Sequence, residues 1–185
     1  MFADRGFYDT SMNEIADAAG VTKPVLYQHF RSKRELFGEL LGEVGAELQE
    51  TITKAVATAQ TPHQMVERGF GAYFRYVDAH RDAFNLFYGS GFHREDEFGR
   101  LVEQVQETLA ELVTGFIEIE GLTPEQRRLL GHGIVGMVAG ASTHWLKVSG
   151  ADADAVARQL ADLAWRGLRG VRPGGDHHPD DLPVT

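Results

Sequence analysis

The chain has 185 residues, 43% of them hydrophobic, and a formal net charge of -9. That is enough apolar material for one sizeable core, while a mean hydropathy of -0.26 and only short all-apolar runs exclude a transmembrane helix. No cysteine is present, which excludes disulfides, thiolate zinc sites, iron–sulfur clusters and a cysteine nucleophile. No secretory signal is visible, and the chain reads as soluble and cytoplasmic, with no membrane partner.

Helical periodicity dominates, so the expected fold class is all-α. The helices fall at about 11–19, 23–30, 33–58, 62–80, 82–89, 94–119, 124–148 and 153–170. Their starts are marked by Ser32 with Glu35, by Thr61-Pro62 with Gln64 and by Thr123-Pro124 with Gln126, the cap, proline and glutamate or glutamine grammar of helix N-termini. The expected organisation is a helix-turn-helix domain at 1–45, a larger helical effector-binding and dimerisation domain at 46–170, and a polar tail at 171–185.

The first helical unit carries Met12, Ile15, Ala16 and Ala19 at i, i+3, i+4, i+7. It ends at Gly20, a residue free to take positive φ, and Thr22 stands where it can cap a second short helix. On that second helix Leu26 and Phe30, with Val21, should face the core. Lys23, Pro24, Val25, Tyr27, Gln28 and His29 are left outward. From Ala18 to Arg34 there is no acidic residue, while Lys23, Arg31, Lys33 and Arg34 give a local charge of about +4 within an acidic chain. Hydrogen-bonding groups on an outward face, with cations beside them, suit a helix that enters the major groove of DNA.

Residues Gly6 to Lys33 also resemble the DNA-binding segment of TetR-family transcriptional regulators. The Gly-x-x-x-Thr-Ser start, Ile-Ala-x-x-Ala-Gly-Val-Thr turn, Leu-Tyr-x-His-Phe helix and Ser-Lys-x-x-Leu exit follow in order and spacing. The resemblance implies a ligand-responsive repressor that binds a pseudo-palindromic double-stranded DNA operator as a homodimer and is released by a small apolar or amphipathic effector. It implies DNA contacts from Thr10, Ser11, Thr22, Lys23, Pro24, Val25, Tyr27, Gln28, His29 and Lys33, with Thr10, Lys23, Tyr27, His29 and Lys33 on phosphates and Gln28 on a base. Members of that family carry a full helix before the Gly-x-x-x-Thr turn, where Met1 to Arg5 supply only its end. Either the helix starts upstream of this sequence, which is the preferred reading, or the domain is stripped, and only the second case should leave Ile15, Leu26 and Phe30 partly uncovered.

The helix after Ser32 separates by face. Phe37, Leu41, Val44, Leu48 and Ile52 form an apolar stripe, and Glu35, Glu39, Glu43 and Glu47 form an i, i+4 acidic ladder opposite. By the family resemblance this helix carries ligand binding to the DNA head. Ten of the sixteen Phe and Tyr residues lie between Phe70 and Phe116. Either they fill a core or their rings line a cavity. The expected effector site is Phe74, Phe84, Phe87, Leu101, Val105, Met137 and His144. In the helix after Pro124, the stripe Leu130, Ile134, Met137, Ala141, Trp145 and Val148 faces inward, and Gly133, Gly136 and Gly140 lie on another side. In the last helix Val156, Leu160, Leu163 and Gly167 should face inward. Gly136, Gly140 and Trp165 are the expected homodimer contacts.

No nucleophile elbow, phosphate loop or dinucleotide fingerprint occurs. His132 and His144 are not at metal-ligand spacing and read as polar groups of a pocket. Asp176, His177, His178, Asp180 and Asp181 read as a solvated tail. No cofactor and no enzyme activity are expected. The rival reading is a dimeric hydrophobic-ligand-binding protein that has lost DNA binding.

Overall fold

The computed structural model describes residues 2–88, 96–148 and 152–172. Among them are nine helical segments and no strand: α1 Phe2–Arg5, α2 Met12–Ala18, α3 Lys23–His29, α4 Lys33–Ala57, α5 Pro62–Ala79, α6 Arg81–Tyr88, α7 Asp96–Phe116, α8 Pro124–Lys147 and α9 Ala153–Gly170. The predicted boundaries hold to within a few residues. The largest difference is at the end of α7, which stops at Phe116 where the periodicity suggested 119. There the Ile117 amide turns to the Thr114 carbonyl, and the chain passes through Gly121 at φ +84° into the capping box of Thr123 and Gln126.

The chain has two apolar clusters. The smaller holds Met12, Ala16 and Leu26, with half-buried Ile15, Phe30 and Leu36 around it. Val21, expected in this core, is instead exposed, because the turn at Gly20 (φ +68°) carries it past the edge of the helix pair. Of the three side chains that a stripped domain would leave uncovered, Ile15 and Phe30 are half-buried, whereas Leu26 is buried. Phe2, Phe7 and Phe37 meet ring to ring and join this head to the second cluster.

The larger cluster is organised round α5. Its consecutive buried residues Phe70 to Phe74, with Tyr76 and Val77, occupy most of its circumference, so α5 is a central helix rather than a surface one. It packs most extensively on α9 and α4, while α7 packs on α8. The fully buried face of α9 is Ala153, Ala157, Ala161 and Ala164; of the predicted stripe, Val156 and Leu160 pack half-buried against the core, whereas Leu163 is 58% exposed and Gly167 is exposed. Small side chains let α9 approach α5 closely, and the periodicity of the larger apolar residues gave no sign of this. The α8 stripe is likewise rotated. Gly131, Val135, Val138, Ser142 and Trp145 are buried, and Ile134, Met137 and Ala141 are half-buried. A Cβ at Gly131 would stand 2.2 Å from Thr114 Oγ1 and 2.8 Å from the Ala110 carbonyl oxygen, so glycine here permits the close α7–α8 seam.

Candidate DNA interface and effector cavity

The helix pair is built by local rules. Ser11 caps α2 by accepting from the Glu14 amide, and Glu14 returns a carboxylate to the Ser11 amide at 2.8 Å. The Ser11 hydroxyl and backbone, with Arg5 2.7 Å away, hold the Glu14 carboxyl below its ordinary range. Thr22 occupies the N-cap position of α3, but its hydroxyl makes no cap bond. Pro24 fits the first turn, where no helical amide is lost.

On α3 only Leu26 is buried. Lys23, Pro24, Val25, Tyr27, Gln28 and His29 are all exposed, as is Thr22 before them. The Lys23 ammonium lies 5.9 Å from the Tyr27 ring centroid. The sequence-predicted outward face is therefore assembled on one helix, together with exposed Ser11. A shallow recess beside it is walled by Tyr8 to Asn13 with Lys23, Tyr27 and Lys33.

Two residues expected to offer side chains to DNA are placed differently. Thr10 is 1% exposed, and its hydroxyl donates to the Gly6 carbonyl at 2.7 Å, so it closes the turn between α1 and α2 instead of facing outward. Lys33 is half-buried, and its ammonium donates to the carbonyls of Phe7 (2.5 Å), Tyr8 (3.2 Å) and Thr10 (2.7 Å). Both positions follow the expected motif, but spacing cannot tell a side chain bonded to its own backbone from one left free.

The effector half contains an apolar cavity of about 480 Å³. Its walls include Ile52 and Val56 from the far end of α4, Phe70 and Tyr73 from α5, Val113 and Phe116 from α7, and Val135 and Val138 from α8. Trp165 and Leu168 of α9 complete it, and Glu118, Glu120 and Arg169 are its charged lining residues. At one side the Ser142 hydroxyl, fully buried, donates to the Tyr73 hydroxyl at 3.2 Å.

This cavity is not lined by the residues predicted from aromatic density. Phe74 is fully buried in the core, edge-on to Tyr73 and Trp145. Phe84 and Val105 line a separate gap of about 20 Å³. Met137 packs half-buried against the core, and His144 is exposed. His132, also exposed, lies 3.4 Å from Glu107. The side chains of Phe87 and Leu101, and the tail from residue 173 with its Asp and His residues, lie outside the described residues. The lining that sequence reasoning missed comes from the far end of α4, the start of α5, the end of α7 and the end of α9. These residues look like ordinary core stripes, and their common cavity exists only after packing.

The predicted dimer residues divide. Gly136 and Gly140, with Gly133, face open space. Trp165 is half-buried within its own chain, its ring 5.0 Å from that of His63 and among the residues lining the cavity. It follows Ala164, which faces α5, so it turns toward the start of that helix. A link between the halves runs through Tyr76. Its buried hydroxyl has one proton to share between the Val44 carbonyl (3.2 Å) and the Glu47 carboxylate (3.0 Å), joining α5 to α4. Burial first, then the Glu47 carboxylate, pushes this phenol above its ordinary pKa.

A helix-turn-helix head with an acid-free outward helix, joined by one long helix to an all-helical domain with an apolar cavity, is the architecture of a helix-turn-helix transcriptional regulator. Residues 1–40 match the family described as "Bacterial regulatory proteins, tetR family", and residues 62–167 match "Tetracyclin repressor-like, C-terminal domain". The chain belongs to the TetR family of transcriptional regulators. It is 30% identical over 173 residues to the HTH-type transcriptional activator FasR of Mycolicibacterium smegmatis, covering 92% of this chain and 79% of that protein. It is 31% identical over 175 residues to the HTH-type transcriptional repressor KstR2 of the same organism, covering 95% and 76%. The fold matches that of the transcriptional regulator FadR from Bacillus subtilis, solved in complex with stearoyl-CoA. The TM-score is 0.75 at 16% identity, over 92% of this chain and 94% of the other.

Proposed function

We propose that this regulator binds a pseudo-palindromic operator as a homodimer and that a small apolar or amphipathic effector in the cavity releases it. The observation that carries this reading is the pairing of an exposed α3 face with an apolar cavity, α4 belonging to both. Thr22, Lys23, Tyr27 and His29 are assigned to the phosphate backbone, and Gln28, flanked by Pro24 and Val25, to base edges in the major groove. Residues 1–45 form the DNA-binding unit and 46–170 the effector and dimer unit.

The effector site moves from the predicted aromatic set to the cavity walled by Ile52, Val56, Phe70, Tyr73, Val113 and Val138. Apolar walls with charged groups among them suit an acyl-like molecule with a polar end, the kind of ligand that FadR of Bacillus subtilis holds. The dimer face is assigned to the open sides of α8 and α9. On α8 and at its C-cap the exposed Leu129 (73%) and Val148 (49%) accompany Gly133, Gly136 and Gly140, which face open space, and on α9 Leu163 is 58% exposed; a second copy is the assigned cover for these side chains. Relatives include both an activator and a repressor; release by effector is the repressor form of the reading.

The test is a titration of long-chain acyl compounds against the full chain, following melting temperature and DNA affinity together. Bound effector should raise the melting temperature and weaken DNA binding by roughly 5–150-fold. Val113→Trp, which fills the cavity, should abolish both responses. A compound that stabilises through this cavity and leaves DNA affinity unchanged would refute the coupling. A protein that takes up the compound but ignores all duplex DNA at low salt would be the ligand-binding rival.

A further inference from the structure

We infer that Lys33 is a positioning residue: its ammonium fixes the turn between α1 and α2 in the shape that docks on DNA, and is not itself a phosphate ligand. The inference rests on the reading that the chain binds duplex DNA. An ammonium has three N–H donors and no acceptor. Here all three have carbonyl partners, Phe7, Tyr8 and Thr10, and the charge lies 4.4 Å from the centroid of the Phe7 ring. A phosphate could take one of these N–H groups only by stripping a carbonyl. Thr10 is closed in the same way, with its hydroxyl on the Gly6 carbonyl and Gly6 at φ +81°. The turn thus has four of its carbonyls, those of Gly6, Phe7, Tyr8 and Thr10, bonded to two side chains.

What the clamp holds is functional surface. Tyr8, Asp9, Thr10 and Ser11 wall the recess that Lys23 and Tyr27 complete from α3. Lys33 is also the first residue of α4, whose far end supplies Ile52 and Val56 to the cavity. A shift of α4 therefore pulls directly on the carbonyls of the docking turn. Arginine cannot replace this group. Its guanidinium is planar and fork-shaped, suited to phosphate but not to three carbonyls gathered round one nitrogen.

The experiment uses the full chain as wild type, Lys33→Arg and Lys33→Met, with duplexes selected from a random-sequence library on the wild type. DNA affinity is measured across salt concentrations, and amide hydrogen exchange is followed over residues 6–10. Both variants should speed exchange in that segment. Lys33→Arg, with its charge intact, should still bind about tenfold or more weakly, the scale of a lost charge-assisted bond, with the salt slope of the wild type. Wild-type affinity in Lys33→Arg overturns the assignment, because a phosphate ligand is rescued by arginine. Unchanged exchange over 6–10 in Lys33→Met also overturns it. If Lys33→Met does not fold, the charge-conserving variant decides by the same two readouts. A wild type that binds no duplex sinks the DNA-binding reading, while the exchange comparison still decides whether Lys33 holds the turn.

Discussion

The head and the effector half solve opposite problems. In the head three buried side chains, Met12, Ala16 and Leu26, carry a surface whose chemistry points outward. In the effector half, large rings such as Phe70, Phe74 and Trp145 are buried in the core that α5 organises, and the chemistry points inward to a cavity. Substitutions should therefore cost recognition in the first region and folding in the second. The difference teaches that one apolar periodicity serves two ends: in a short helix pair it frees a face, and in a bundle it hides one.

The largest effect that tests this contrast is Phe74→Ala. The side chain is fully buried, and its removal should destabilise the fold by about 3–5 kcal/mol in chemical denaturation. A loss below about 1 kcal/mol would place Phe74 at a cavity wall after all. Next comes Gly131→Ala. The new methyl meets the Ala110 carbonyl oxygen at 2.8 Å, and overpacking of that sort costs about 1–3 kcal/mol. Gly136→Ala, in open space, should leave monomer stability level or improve it by up to about 1 kcal/mol, so any weakening seen in that variant by analytical ultracentrifugation reports on the dimer face alone.

In the head the expected pattern reverses. Gln28→Ala should change folding stability by less than about 0.5 kcal/mol, yet lose about 1–3 kcal/mol of discrimination at one base pair, read by binding to a panel of single-base operator variants. The smallest effect is in pH. Glu14 has its carboxyl held below the ordinary value of 4.5 by the bonds from Ser11 and the charge of Arg5. Its support of the α2 cap is therefore complete above that value and is lost as the pH falls through the lowered one. Hydrogen exchange in α2 should rise in acid with wild type, and Ser11→Ala should show the raised exchange already at neutral pH.

Most of the helix boundaries were legible because caps are local: Thr61 with Gln64 and Thr123 with Gln126 act within one turn. The outward face of α3 was legible for a similar reason, since seven residues and one glycine turn decide it. Thr10 and Lys33 were not, because which carbonyls they meet depends on how α1, α2 and α4 converge. The inward face of α9 was read only in part: Val156 and Leu160 do pack on the core, but alanines carry little hydrophobic signal, and Ala157 and Ala161 are almost fully buried. The cavity was misplaced because its walls come from five helices, and a ring such as Phe74 looks the same in sequence whether it fills space or lines it.

The length of α4 has a kinetic consequence. Ile52, at the cavity, is about 28 Å along the helix from Lys33, at 1.5 Å per residue. On the proposed function, effector and operator need not compete for the same space, and a protein already seated on its operator would be open to loading where it sits. The lifetime of the promoter complex would then shorten as effector concentration rises, instead of staying constant while free protein is titrated away. A cell using such a switch would not have to wait for spontaneous release before its genes respond.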